Sequence, residues 1–177
     1  MRIISGQYGG RRFATPRHLD ARPTTDVAKE ALFNILAGRL DLEGLTALDL
    51  FGGTGSISFE LLSRGALRVT CVEAGRVQQQ FIRNVAEQLG VGQALRLVCG
   101  DVFRYLRQAP PPCGFVFADP PYALPQLATL PDLVTQGGLL TEGGLFVLEH
   151  GRNHDFSAHP RFSECRTYGA VHFSFFA

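Results

Sequence analysis

Asp119-Pro120-Pro121-Tyr122 follows directly on the apolar run Phe115-Val116-Phe117-Ala118. An acid, two rigid prolines and an aromatic at the end of a buried strand make a turn rich in hydrogen-bond acceptors. Prolines give up their N–H donors and keep their carbonyls. A carboxylate, a backbone carbonyl and a flat stacking face together suit a planar substrate bearing an NH2 group. The chemistry this implies is on nitrogen, with Asp119 and the Pro120 carbonyl as acceptors and Tyr122 as the stacking ring.

A second group of residues lies upstream. Leu48-Asp49-Leu50-Phe51-Gly52-Gly53-Thr54-Gly55 places a glycine-rich turn after a short apolar strand, and Ile57, Phe59, Leu61 and Leu62 then follow at helical spacing. Glycines let a backbone approach a ligand closely, and a helix N-terminus presents free N–H groups. The next strand ends in Glu73, about 20 residues past the turn, where a carboxylate is placed to take ribose hydroxyls.

Strand, glycine turn, helix, strand and acid also suit a nicotinamide cofactor, and a tight turn that binds nothing is the plain alternative. The dinucleotide fingerprint fits Gly53 and Gly55, but its third glycine falls on Ser58. Joined to the Asp-Pro-Pro-Tyr turn, the pattern points to S-adenosylmethionine, which has a ribose for the acid and a methyl group for the nitrogen. Gly52, Gly53, Thr54 and Gly55 are then expected along the cofactor. Asp101, with Val102 beside it, is expected at the adenine amine or as a helix N-cap, and Asp49 orients the loop or meets the cofactor amine.

These residues need a scaffold. The pattern predicts strands near 46–51, 68–73, 95–100, 115–119 and 143–149, with helices near 56–64, 75–89, 102–107 and 126–136. Such alternation calls for an α/β fold with a mainly parallel sheet covered on both faces. Thr24 or Thr25 caps an earlier helix running to about Gly38, with Val27, Ala31, Leu32, Ile35 and Leu36 as its apolar face. Tyr8-Gly9-Gly10 between Arg2–Ser5 and Arg11–Ala14 reads as a small β-hairpin, and alternation over 164–176 reads as an antiparallel hairpin closing one sheet edge. The expected organisation is a basic hairpin and arm over 1–23 and a main domain over 24–177.

Length and charge narrow the class. At 177 residues the chain suits one domain with a full core. It has no apolar run long enough to span a membrane and no secretory leader at Met1-Arg2-Ile3-Ile4, so it reads as a cytoplasmic protein. Cys71, Cys99, Cys113 and Cys165 lack C-x-x-C spacing, and Cys71 and Cys99 fall in expected buried strands. Neither a disulfide framework nor a metal site is indicated, and His150, His154 and His159 read as loop residues. Residues 1–22 carry five arginines against one aspartate, a net +4, so the remainder carries −3 of the overall +1. Lys29 is the only lysine. Arginine suits phosphate and base contacts, so Arg2, Arg11, Arg12, Arg22 and Thr25 are candidates for RNA; a solvated hairpin is the alternative.

The same residues carry a resemblance. Arg22-Pro23-Thr24-Thr25-Asp26 with Lys29-Glu30-Ala31-Leu32-Phe33-Asn34-Ile35-Leu36, the turn Asp49-Leu50-Phe51-Gly52-Gly53-Thr54-Gly55, Leu62-Ser63-Arg64-Gly65-Ala66 and Asp119-Pro120-Pro121-Tyr122 resemble the bacterial 16S rRNA guanine-N2 methyltransferases of the RsmD type. That family usually has alanine at Gly53, often serine at Thr54 and commonly arginine at Lys29. The resemblance implies a Rossmann-like, S-adenosylmethionine-dependent methyltransferase fold. It also implies methylation of a guanine N2 in 16S rRNA, within the small ribosomal subunit or an assembly intermediate, by a monomer. An amino-methyltransferase acting on adenine N6 or on another RNA stays open, as does a cofactor-binding assembly factor without catalysis.

Overall fold

The computed structural model describes residues 1–16 and 25–177. Five strands and their helices alternate as expected. They are α1 Asp26–Ala37, β1 Thr46–Leu50, α2 Ser56–Ser63, β2 Arg68–Glu73, α3 Arg76–Leu89, β3 Leu95–Cys99, α4 Val102–Leu106, β4 Cys113–Ala118, α5 Leu130–Thr135 and β5 Leu140–His150. Two further strands, β6 Phe162–Tyr168 and β7 Val171–Phe176, form the C-terminal hairpin around Gly169, whose φ of 64° gives the left-handed turn. The seven strands lie in the order β3-β2-β1-β4-β5-β7-β6. The first five are parallel, and β7 runs antiparallel to both β5 and β6.

Alternation sorts the strand residues onto two apolar layers. Ala47, Phe115, Phe117, Leu145 and Val147 pack with α1, α2 and α3 on one face. Leu48, Val116, Ala118, Phe146 and Leu148 pack with α4 and α5 on the other. In the same phase, Asp49, Asp119 and Glu149 fall on the α1–α3 side, at the carboxyl ends of three neighbouring strands. Strand order reverses between β1 and β4, and in open sheets of this kind ligands sit outside that crevice.

Several expectations change. Val27 is 72% exposed, and α1 instead buries Ala28, Lys29, Leu32, Phe33 and Leu36, because its contact stripe includes a lysine that a purely apolar pattern passes over. The 126–136 helix is split into a 3-10 turn, Leu127–Thr129, and α5, whose Pro131 sits in the first turn where its missing N–H costs nothing. Cys99 is exposed, since β3 is an edge strand. His150 is no loop residue: it closes β5, is 2% exposed and bonds the Gly151 carbonyl and Ser174. The N-terminal hairpin is a single antiparallel bridge, Arg2 with Arg12, tied by Ile3, Gly10 and Phe13 backbone bonds. Arg22 and the proposed boundary at residue 23 lie outside the described residues.

The N-terminal segment is docked on the domain. Ile3 is fully buried, Ile4 and Ser5 donate their N–H groups to the Glu60 carboxylate, and Gln7 and Tyr8 donate to the Ser63 carbonyl and hydroxyl. Lys29 Nζ reaches the Arg2 carbonyl and Ser56 Oγ, linking this segment to the first residue of α2.

Candidate active site

A cavity of about 640 Å³ opens at the reversal point, lined by Gly53, Glu73, Asp101, Asp119, Pro120 and Tyr122 together with residues the sequence reading did not single out. Its size lies within the range of small-molecule sites, about 300–1,000 Å³.

The first wall is the turn after β1. Phe51 takes a φ of 65°, a strained conformation for a side-chain-bearing residue, and its ring meets Phe103 edge-on at 6.4 Å. Gly53 lies beyond it with φ 56°, and a Cβ there would meet only the Phe51 carbonyl, at 4.0 Å, so its backbone is accessible from the cavity. Gly55 (φ 73°) caps α2, and a Cβ there would lie 2.8 Å from the Phe59 ring. A Cβ at Gly52 would lie 2.2 Å from Cys71 Sγ. Gly52 and Gly55 are therefore glycine for close packing, Gly53 for backbone access. Among the described residues, Gly52, Thr54, Gly55 and Asp49 do not line the cavity.

Glu73 braces this wall. Its carboxylate accepts from Gly53 N at 2.7 Å and Gly75 N at 2.6 Å, holding the turns after β1 and β2 together. A carboxylate has about four acceptor positions, so these two bonds leave capacity for hydroxyls. Asp101 accepts from Arg104 N at 2.8 Å, capping α4 while lining the cavity, so the cap and the ligand-facing position coincide. Val102 is buried beside it. Asp49, 2% exposed, accepts from Ser58 N at 3.2 Å and Ser58 Oγ at 2.6 Å. The residue at the missing third glycine thus anchors α2 to β1. Burial, opposed by those bonds and aided by the Glu73 charge, pushes Asp49 up to about 7.

The second wall is the turn after β4. Burial first, then the charges of Glu149 and Asp49, push the Asp119 carboxyl well above the ordinary carboxylate range. Tyr122 donates its hydroxyl to Glu149 Oε1 at 3.2 Å, and its ring lies where a Cβ on Gly151 would come within 3.0 Å. Glu149, 2% exposed and lining the cavity, was missed in the sequence reading. Its signal was the alternation: it continues Leu145 and Val147 as Asp119 continues Phe115 and Phe117. Gln78, folded over Gly75, was missed as well.

The RNA candidates stand apart from these walls. Arg11 and Arg12 are exposed, with the Arg11 guanidinium 5.5 Å from the Tyr8 ring centre. Arg2 faces Asp26 at 3.7 Å, and the Thr25 side chain caps α1 by accepting from Ala28 N at 3.2 Å. Among the described residues, no group of three or more His, Cys, Asp or Glu side chains is arranged to hold a metal ion, and no helix is long and apolar enough to cross a membrane.

A doubly wound sheet, a glycine turn braced by the acid of the second strand and an Asp-Pro-Pro-Tyr turn on the facing wall define a Rossmann-like methyltransferase fold. Residues 1–177 match the family model described as Conserved hypothetical protein 95, and the chain belongs to that family. Ribosomal RNA small subunit methyltransferase D of Escherichia coli K12 is 42% identical over 123 residues, covering 69% of this chain and 60% of that protein. The chain thus matches about three-fifths of that relative's length. Bacillus subtilis YlbH is 34% identical over 155 residues, 86% of this chain and 83% of the relative. The solved structure of Escherichia coli yhhF superposes with a TM-score of 0.86 at 31% identity, covering 99% of this chain and 96% of the other. A structure from Thermus thermophilus gives 0.86 at 29% identity, with 99% and 98% covered. The RsmD-type resemblance therefore holds across the chain.

Proposed function

We propose that this protein transfers a methyl group from S-adenosylmethionine to the exocyclic N2 of a guanine in 16S rRNA, acting as a monomer on the small ribosomal subunit or its assembly intermediate. The observation that carries this reading is a single cavity bounded by the Gly53–Glu73–Asp101 wall and the Asp119–Tyr122 wall. The names of the Escherichia coli and Bacillus relatives support the substrate class.

The residues present fit the cofactor. Gly53 offers accessible backbone, Glu73 has acceptor capacity for ribose hydroxyls, and Asp101, on the cavity wall, can accept from an adenine amine. When bound, S-adenosylmethionine supplies an electrophilic methyl group. The chain's own residues do the rest. A guanine N2 amine is a poor nucleophile because its lone pair is delocalised into the ring. Asp119 accepts one N2 hydrogen and the Pro120 carbonyl the other, which turns the lone pair out of the ring plane. Preorganised polar groups of this kind are commonly the largest catalytic contribution. The nitrogen sheds a proton easily once it gains the methyl, so Asp119 need not act as a general base. Tyr122 stacks on a base that has left its helix or loop.

Incubation with labelled S-adenosylmethionine and small subunits from a strain lacking the protein, followed by mapping of the labelled base, tests the proposal. Label on N2 of one guanine in 16S rRNA is expected. Label on adenine N6, or none with a folded protein that binds the cofactor, overturns it in favour of the adenine enzyme or the inactive assembly factor.

A further inference from the structure

We propose that Glu149 accepts a hydrogen bond from N1–H of the target base and so selects guanine over adenine. The inference rests on the guanine-N2 reading above and assigns a role to a residue outside the Asp-Pro-Pro-Tyr turn.

Geometry supports it. Ala118 pairs with Leu148 in the parallel β4–β5 ladder, so Asp119 and Glu149 follow at the same level of adjacent strands. Adjacent strands lie about 4.8 Å apart, and residues in the same phase point to the same face. Both carboxylates border the cavity. The Tyr122 hydroxyl on Glu149 Oε1 fixes the orientation of that carboxylate from within the substrate-facing turn. Burying a second acid here is unfavourable, since the Glu149 charge raises the proton affinity of Asp119. Perturbed acids gathered in a cleft are a recurrent mark of ligand recognition.

The donor count then decides the base. The guanine edge carries three hydrogens, one on N1 and two on N2. Asp119, the Pro120 carbonyl and Glu149 give three acceptors in the same corner. Adenine carries two hydrogens on N6, and its N1 is a bare acceptor that would face the Glu149 carboxylate lone pair to lone pair. Sites built to bind an N–H reject analogues that lack it, because a buried polar group is left unmatched.

The test uses small subunits reconstituted on 16S rRNA into which a synthetic segment has been ligated. The mapped target in that segment is either guanosine or 2-aminopurine riboside. 2-Aminopurine keeps the N2 amine but has a bare acceptor at N1. The wild-type protein should prefer guanosine. In Glu149→Gln the side-chain amide can turn its NH2 to that acceptor, so the guanosine/2-aminopurine ratio of kcat/KM should fall about tenfold or more. A purely structural defect lowers both substrates together and leaves the ratio where it was; that result, with wild type methylating guanine N2, overturns the role of Glu149 alone. If native subunits carry the methyl elsewhere than guanine N2, the underlying reading falls first. Tyr122→Phe, which keeps the ring and removes the hydroxyl from Glu149 Oε1, should shift the ratio in the same direction by less. Should Glu149→Gln not fold, an unchanged ratio in Tyr122→Phe overturns the proposal.

Discussion

Glu60, buried, and Asp119, half-buried at the cavity, are both acids on the α1–α3 side of the sheet, and their surroundings are opposite. Glu60 is fully enclosed in α2, with Lys29 Nζ at 3.7 Å, Arg64 Nε at 2.9 Å and two backbone N–H groups on its oxygens. Burial pulls the Lys29 ammonium down, and Glu60 beside it holds it up. Asp119 faces the cavity with Glu149 and Asp49 as its charged neighbours, and among the described residues no salt bridge reaches Asp49 or Asp119. The first site is compensated within the fold and serves to fasten the N-terminal segment to α2. The second is left acidic, a poor choice for stability and a good one for holding amine hydrogens beside a cationic cofactor.

Breaking the compensated site should have the largest effect on folding. Glu60→Ala leaves the Lys29 cation buried and removes the acceptor for Ile4 and Ser5. Removing one partner of a buried pair costs about 3–5 kcal/mol. Denaturant unfolding should show that loss. A change below about 1 kcal/mol would mean the docking does not depend on this pair.

The acidic side should instead be disclosed by pH. Asp49 moves from 3.8 to about 7 on folding, so between those values the folded state binds more protons than the unfolded chain. Its contribution to stability is therefore present below about pH 4 and lost as pH rises to about 7. The full span corresponds to about 4 kcal/mol at most. Asp49→Asn should flatten the decline in stability between about pH 4 and pH 7. Asp119 pushes in the same direction, so some slope should remain. An unchanged slope in the variant would assign the decline to other groups.

Asp119→Ala carries the comparison into chemistry. It should abolish methyl transfer, at about 3 kcal/mol or more in the barrier, while cofactor affinity by calorimetry stays near wild type. Stability should not fall as it does in Glu60→Ala. Near-normal turnover by a folded variant would remove Asp119 from the site.

These two regions were unequally legible. The glycine turn, Glu73, Asp101 and the Asp-Pro-Pro-Tyr turn stand at strand ends, where an apolar run stops abruptly and marks its own boundary. Glu149 also closes an apolar run, but the His150-Gly151-Arg152 that follows forms no motif that would mark it as a site. It becomes visible only when the phase of β5 is set beside that of β4. The Glu60 network was invisible for another reason: only Arg64 stands at helical i,i+4 spacing from it, while its other partners are Ile4, Ser5 and Lys29, and no spacing rule joins positions so far apart. Lys29 in particular is left off the expected apolar face of its helix, yet it is 1% exposed. Val27 is expected in the core yet is 72% exposed, because apolar periodicity weighs residue type and cannot weigh a distant carboxylate.

The smallest effect concerns the outer side of the N-terminal segment. Its backbone is committed to the domain: Ile3 is buried, and Gly6 passes so close to Ser63 that a Cβ would lie 1.9 Å from that carbonyl. The heads of Arg11 and Arg12 remain exposed. A basic surface held this firmly loses little entropy on meeting phosphate, whereas a loose arm would lose more. Replacing both arginines by alanine should therefore leave folding and cofactor affinity unchanged and weaken RNA binding. The salt dependence should fall by roughly one unit of slope for each lost phosphate contact. Affinity for a 16S rRNA fragment, measured at several salt concentrations, decides it. Equal affinity and equal slope in the double variant would leave the segment as a fastened cover on α2, and the charge split between residues 1–22 and the rest would need another explanation than RNA.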